Sequence, residues 1–245
     1  MNEWLITSTD LLTMLLINGC SYTYGDELAS PEQERWSTHL ARLRSIEVVN
    51  IAQPGSSNAK IFRDTINYIR VHQPSAVMVM WSAFERFEMY HMDKADWLQV
   101  SPSRLDDGEK YITKNKRSWS EFYALLVNRE TMLLNTLNHM VMLEWICQEL
   151  NIELVQGWFH ENCYKEYCRL VDLAERNNHP VALEIKSLFN SLSDASLVGI
   201  SHSISFNQFT DLNDFMRQPK GHPDAHAHEA YALYINSVCN ARGYL

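Results

Sequence analysis

No apolar run in this chain is long enough to form a helix that crosses a bilayer. Lysine and arginine number 21 against 30 aspartates and glutamates, giving a formal charge of −9 without any basic cluster, which argues against a nucleic-acid partner. Residues Met1 to Asp10 carry no lysine or arginine ahead of the first apolar run, so the charged start of a secretory signal is missing and a cytoplasmic protein is expected. The cysteines, Cys20, Cys147, Cys163, Cys168 and Cys239, are odd in number and include no Cys-x-x-Cys pair, so they read as reduced, mostly buried thiols. No Gly-Lys-Ser or Gly-Lys-Thr occurs, which removes the phosphate loop of nucleotide binders. Nor is there a Gly-x-Ser-x-Gly elbow, because Thr23 stands where its last glycine belongs.

What remains is a chain of 245 residues, 46% hydrophobic, long enough for one large α/β domain. Leu11 to Ile17 is nearly continuous in aliphatic side chains and predicts a strand buried on both faces. Ile46–Ala52, Ser75–Trp81 and Ile152–Gly157 predict further strands, and Ser196–Ile200 is the candidate for a fifth. Between them lie stretches with helical spacing. These are Pro31–Arg44 with Trp36 and Leu40, a helix capped by Ser57 or Asn58 and ended by Pro74, Trp119–Leu150 as one long helix or two, Glu161–Arg176 and Val181–Leu192. Pro223 suits the first turn of a last helix that buries Ala227, Tyr231, Tyr234, Ile235 and Val238. Strand and helix alternate with short connections, so the expected architecture is a three-layer α/β/α domain over residues 1–245, with a central parallel sheet of about five strands. Residues 82–118 break the alternation. Phe84, Phe87, Tyr90, Trp97 and Tyr111 either line a lid or pack beneath a surface loop there.

Three segments stand at the ends of these elements. Gly19-Cys20-Ser21-Tyr22-Thr23-Tyr24-Gly25 follows the first strand, Asn50-x-Ala52-x-x-Gly55 closes the second, and Gly221-His222-Pro223-Asp224 precedes the last helix. Ligands of open parallel sheets bind beyond the carboxyl ends of the strands, which is where Ser21 would lie. Together the three segments resemble the blocks of the SGNH (GDSL-like) esterase and lipase superfamily, with Cys20 in place of the usual aspartate. The resemblance implies a flavodoxin-like fold and a serine ester hydrolase that needs no cofactor. It makes Ser21 the nucleophile and His222 the base, and it places the backbone N–H groups of Ser21 and Gly55 in the oxyanion hole.

A serine hydroxyl needs a base to become nucleophilic, and a histidine before a helix N-terminus can supply one. Taken alone, His222 reads equally as a helix cap, Gly-x-Ser as a turn, and Cys20 as a buried thiol without a cationic neighbour to activate it. Two departures from the resembled pattern stand out. The asparagine after the third strand is missing, leaving Ser82 or Asn58 as the third oxyanion donor. Pro219 occupies the place of the orienting acid, leaving Asp211, Asp214, Asp224 or a bare Ser-His dyad. The expected substrate is a small-molecule or glycan ester with a short acyl group, such as carbohydrate O-acetyl. The rival readings are a binding or structural module that has lost activity, and a metal-dependent hydrolase built on His222, Asp224, His226 and His228. His222 and His226 have the i,i+4 spacing of helical zinc ligands, but no third ligand can be named.

Overall fold

The computed structural model describes residues 14–102, 115–160, 162–193, 197–198 and 205–243. Five parallel strands form the central sheet in the order β2-β1-β3-β6-β7: β1 (Met14–Asn18), β2 (Glu47–Asn50), β3 (Ala76–Trp81), β6 (Glu153–Trp158) and β7 (Leu197–Val198). This is the flavodoxin-like arrangement expected from the sequence. Its first strand lies inside the sheet, and the order reverses between β1 and β3. Leu11 to Thr13 of the first expected strand, and Ser196, Gly199 and Ile200 of the fifth, lie outside the described residues.

The continuous apolar runs are explained by burial on both sides. Leu16, Val77, Val79, Trp81, Leu154 and Trp158 face the layer of α4 (Asn58–His72), α6 (Arg129–Glu149), α7 (Asn162–Asn177) and α8 (Pro180–Ser191). Leu15, Ile17, Met78, Met80 and Val155 face α3 (Trp36–Arg44), α9 (Phe206–Leu212) and α10 (Ala225–Arg242). Alternate residues thus serve opposite layers, and neither face is left to water. The one buried amide on β6, Gln156, is satisfied by accepting from Trp81 Nε1 at 2.9 Å and donating to the Met140 carbonyl.

Two helix boundaries differ from the sequence reading, and of its two options for Trp119–Leu150 the structure has the second. Pro31–Arg44 is two helices, α2 (Pro31–Glu34) and α3, because Arg35 adopts extended backbone (φ −69°, ψ 148°). Trp119–Leu150 resolves into α5 (Lys116–Leu126) and α6, broken at Val127 and Asn128, where the Asn128 side chain caps α6. Pro223 is not in the last helix. It pairs in an isolated bridge with Arg217, and Asp224 caps α10 by accepting from Ala227 N–H at 2.8 Å. Ser57, as expected, caps α4.

Residues 87–100 form an antiparallel hairpin, β4 (Phe87–His91) with β5 (Asp96–Val100), outside the main sheet. Phe84 is buried, and Phe87 packs against Trp119, Phe122 and Tyr123 on α5. Tyr90 and Trp97 pair edge to face on the exposed part of the hairpin, and Tyr111 lies outside the described residues. Gln99 Oε1 accepts the Ser57 N–H at 2.9 Å and so ties the hairpin to the start of α4.

Candidate active site

Side-chain amides and one obligatory glycine set the end of β1. Asn18 Nδ2 donates to the Ile61 carbonyl and to Thr65 Oγ1 on α4, while its Oδ1 accepts the Gly19 N–H at 2.8 Å. A Cβ on Gly19 would press into the Thr23 side chain and stand 3.0 Å from the Met80 carbonyl oxygen, so the chain can pass here only as glycine. Cys20 is fully buried and precedes the single-turn helix α1 (Ser21–Tyr24). Gly25, at φ +86°, closes that turn by donating to the Ser21 carbonyl. Ser21 is 4% exposed, and its Oγ forms no hydrogen bond with any described residue.

The loop that continues from α1 carries a carboxylate that meets His222 and that the sequence reading did not single out. Glu27 Oε2 lies 2.6 Å from His222 Nδ1, across 195 residues of chain, and the carboxylate also accepts the backbone N–H groups of Lys220 and His222. A carboxylate can only accept, so Nδ1 bears the proton and the neutral ring has its lone pair on Nε2. Nε2 is 3.9 Å from Asp26 Oδ2, beyond hydrogen-bond reach. Burial of Glu27 opposes its ionisation, but the bonds from the His222 ring and the two amides outweigh this and hold its carboxyl below the usual range. Glu27 has φ +70°, a left-handed backbone that costs a non-glycine residue roughly 1–3 kcal/mol and is kept here by those side-chain bonds. The pH consequence has a definite sign. A depressed carboxyl contributes stability above its ordinary value of 4.5 and loses it as pH falls through the folded-state value. In thermal melts, the wild type is therefore expected to lose its Tm advantage over Glu27→Gln progressively as pH falls below the ordinary carboxyl value of 4.5. A constant difference across that range would count against the pair.

Of the acids considered from the sequence, Asp224 is the α10 cap and Asp211 pairs with Arg217. Asp214, at φ +52°, has no bond to His222. Glu27, and none of these three, is hydrogen-bonded to the His222 ring. The signal was present in Asp26-Glu27 directly after Gly25, but a hydrogen bond between loops so distant in sequence leaves no spacing to read.

Around the proposed oxyanion site the amides again act as staples. Asn50 Nδ2 donates to the Thr23 carbonyl and Ser37 Oγ, and its Oδ1 accepts the Ala52 N–H, fixing the end of β2 to α1. Gly55 is buried at φ +79°, a turn conformation suited to glycine. Its N–H and that of Ser21, first residue of α1, have no acceptor among the described residues. Asn58 uses both amide hydrogens, on the Ser82 carbonyl and Thr136 Oγ1, and accepts the Ser82 N–H at 2.7 Å. It is a buried clasp between α4 and the end of β3 and has no hydrogen left for an oxyanion. Ser82 Oγ accepts from Arg86 Nη1 at 2.8 Å.

Tyr22 packs between the two halves of the site, its ring 5.3 Å from that of His222 and 4.9 Å from that of Phe159. Arg217 donates to Tyr22 Oη, to the Gly221 carbonyl and to Asn207 Oδ1, pinning the His222 loop from below. The histidines weighed as metal ligands are dispersed. His226 is exposed, whereas His228 is fully buried, with Nδ1 accepting the Trp36 N–H, and burial drives its pKa down to about 3. With Asp224 committed to its cap, the four residues do not converge, and no metal-ligating cluster occurs among the described residues.

No protein-family model matches the sequence, and no curated protein does. Solved structures do match. One is TesA, at TM-score 0.52 and 11% identity, covering 94% of this chain and 99% of that one. Another is the salicylyl-acyltransferase SsfX3 from a tetracycline biosynthetic pathway, at 0.50 and 12%, covering 97% of this chain and 57% of that one. A lipolytic protein assigned to the G-D-S-L family, from Desulfitobacterium hafniense DCB-2, matches at 0.49 and 13%, covering 92% and 99%. At these identities the likeness to TesA and SsfX3 is one of fold alone.

Proposed function

We propose that the chain is a serine ester hydrolase in which Ser21 is the nucleophile, His222 the general base and Glu27 the acid that orients it. The observation that carries this reading is the 2.6 Å contact between Glu27 and His222 Nδ1, made by the loop that leaves Ser21. It fixes the tautomer whose Nε2 can accept a proton from a serine hydroxyl and stabilises the imidazolium that results. Ser21 Oγ attacks the ester carbonyl as its proton passes to Nε2, and the Ser21 and Gly55 N–H groups stabilise the negative oxygen. Collapse breaks the C–O bond, with the same proton going to the departing alcohol. Water, deprotonated by Nε2, then releases the acid from Ser21. Hydrogen bonds of this kind often tighten only around bound substrate, so the unengaged Ser21 hydroxyl is compatible with the role. The substrate class we infer is a small-molecule or glycan ester with a short acyl group, such as O-acetyl.

The test is covalent. A fluorophosphonate probe is expected to label the wild type at Ser21 and to leave Ser21→Ala unlabelled, as read by intact mass and peptide mapping. Equal labelling of the two proteins would remove Ser21 from the mechanism.

A further inference from the structure

A cavity of about 300 Å³ opens at the same edge of the sheet, between the start of α4, the chain leaving β3 and α6. Its walls include Phe84, Phe87, Met132 and Met142, with amides from Asn135 and Asn138 at the rim. Two ionised side chains border it. Glu88 is already engaged, by Arg63 and by Gln99 Nε2 at 2.9 Å. Arg86 is not: its guanidinium reaches Ser82 Oγ and lies 5.9 Å from the centre of the Phe159 ring, and no described carboxylate pairs with it. Burial holds His139, the other basic group lining the cavity, below its ordinary pKa, so it stays neutral at pH 7.

A half-buried guanidinium without a counter-ion is costly in a core and well suited to a site that receives an anion. Its position links two places. On one side Arg86 lines the cavity; on the other, Phe159 touches Tyr22, the residue after Ser21. We infer that this cavity is a binding site for an apolar segment ending in a carboxylate or similar monoanion, held by Arg86, and that it selects esters carrying such a group. The selection of esters rests on the function proposed above, whereas the binding of the anion does not.

Binding is measured by calorimetry on the full chain, with hexanoate and its neutral analogue hexanamide as probes, in wild type, Ser21→Ala, Arg86→Gln, Arg86→Lys and Asn135→Trp. Wild type and Ser21→Ala are expected to bind hexanoate at least about tenfold more tightly than hexanamide, the margin of one charge-assisted hydrogen bond. Arg86→Gln should erase that preference while leaving hexanamide unchanged, Arg86→Lys should retain part of it, and Asn135→Trp should block both probes at the rim. Equal affinity for the two probes, or hexanoate binding untouched by Arg86→Gln and Asn135→Trp, would overturn the site. If hexanoate binds as expected and Ser21 proves unreactive, the esterase proposal fails and the anion site stands. If esters turn over but hexanoate does not bind, the reverse holds.

Discussion

Glu27→Gln is expected to lower kcat for hydrolysis of p-nitrophenyl acetate by about 10²- to 10⁴-fold, the range seen when the acid of a serine triad loses its charge. The amide preserves shape and can still meet the Lys220 N–H, so the fold survives and the loss is chemical. Its two-sided hydrogen bonding no longer enforces a proton on Nδ1, and the imidazolium formed during attack loses the anion 2.6 Å away. Thermal melts at pH 7 separate this from unfolding. A decrease of less than about tenfold in kcat would make Glu27 a structural tether and leave Ser21 and His222 as a dyad.

Asn58→Leu is expected to destabilise the protein by about 2–4 kcal/mol in urea titrations, because it removes two buried hydrogen bonds to the backbone at once. The Ser82 N–H and carbonyl each lose their bond to Asn58, whereas Thr136 keeps its bond to the Met132 carbonyl. Leucine keeps the branched shape of asparagine, but its methyls cannot sit at the 2.7–3.1 Å of the lost bonds, so part of the loss is overpacking. A change under about 1 kcal/mol would mean that the end of β3 finds other partners.

The sheet was legible because its signals are local. Leu15-Leu16-Ile17 and Ala76 to Trp81 are apolar at every position, and only a strand covered on both faces needs that. The turn around Ser21 was legible for a related reason, since a serine after a buried strand has few places to go. What the sequence could not convey are the bonds between distant loops. Nothing in Glu27 announces His222, and Pro219, where an acid was sought, drew attention to the wrong side of the histidine. Asn58 was read as a donor to substrate because its true acceptor, the Ser82 carbonyl, exists only after β3 and α4 are side by side. Pro223 looked like a helix start because its preference for that position is strong, and the bridge to Arg217 overrode it.

Placing the acid on the nucleophile's own loop also changes how such a protein can diversify. In the proposed triad, Ser21 and Glu27 form one short cassette, to which the C-terminal region delivers a single imidazole. The loops that join the core elements in between can then lengthen or shrink without parting the Glu27 carboxylate from the Ser21 hydroxyl.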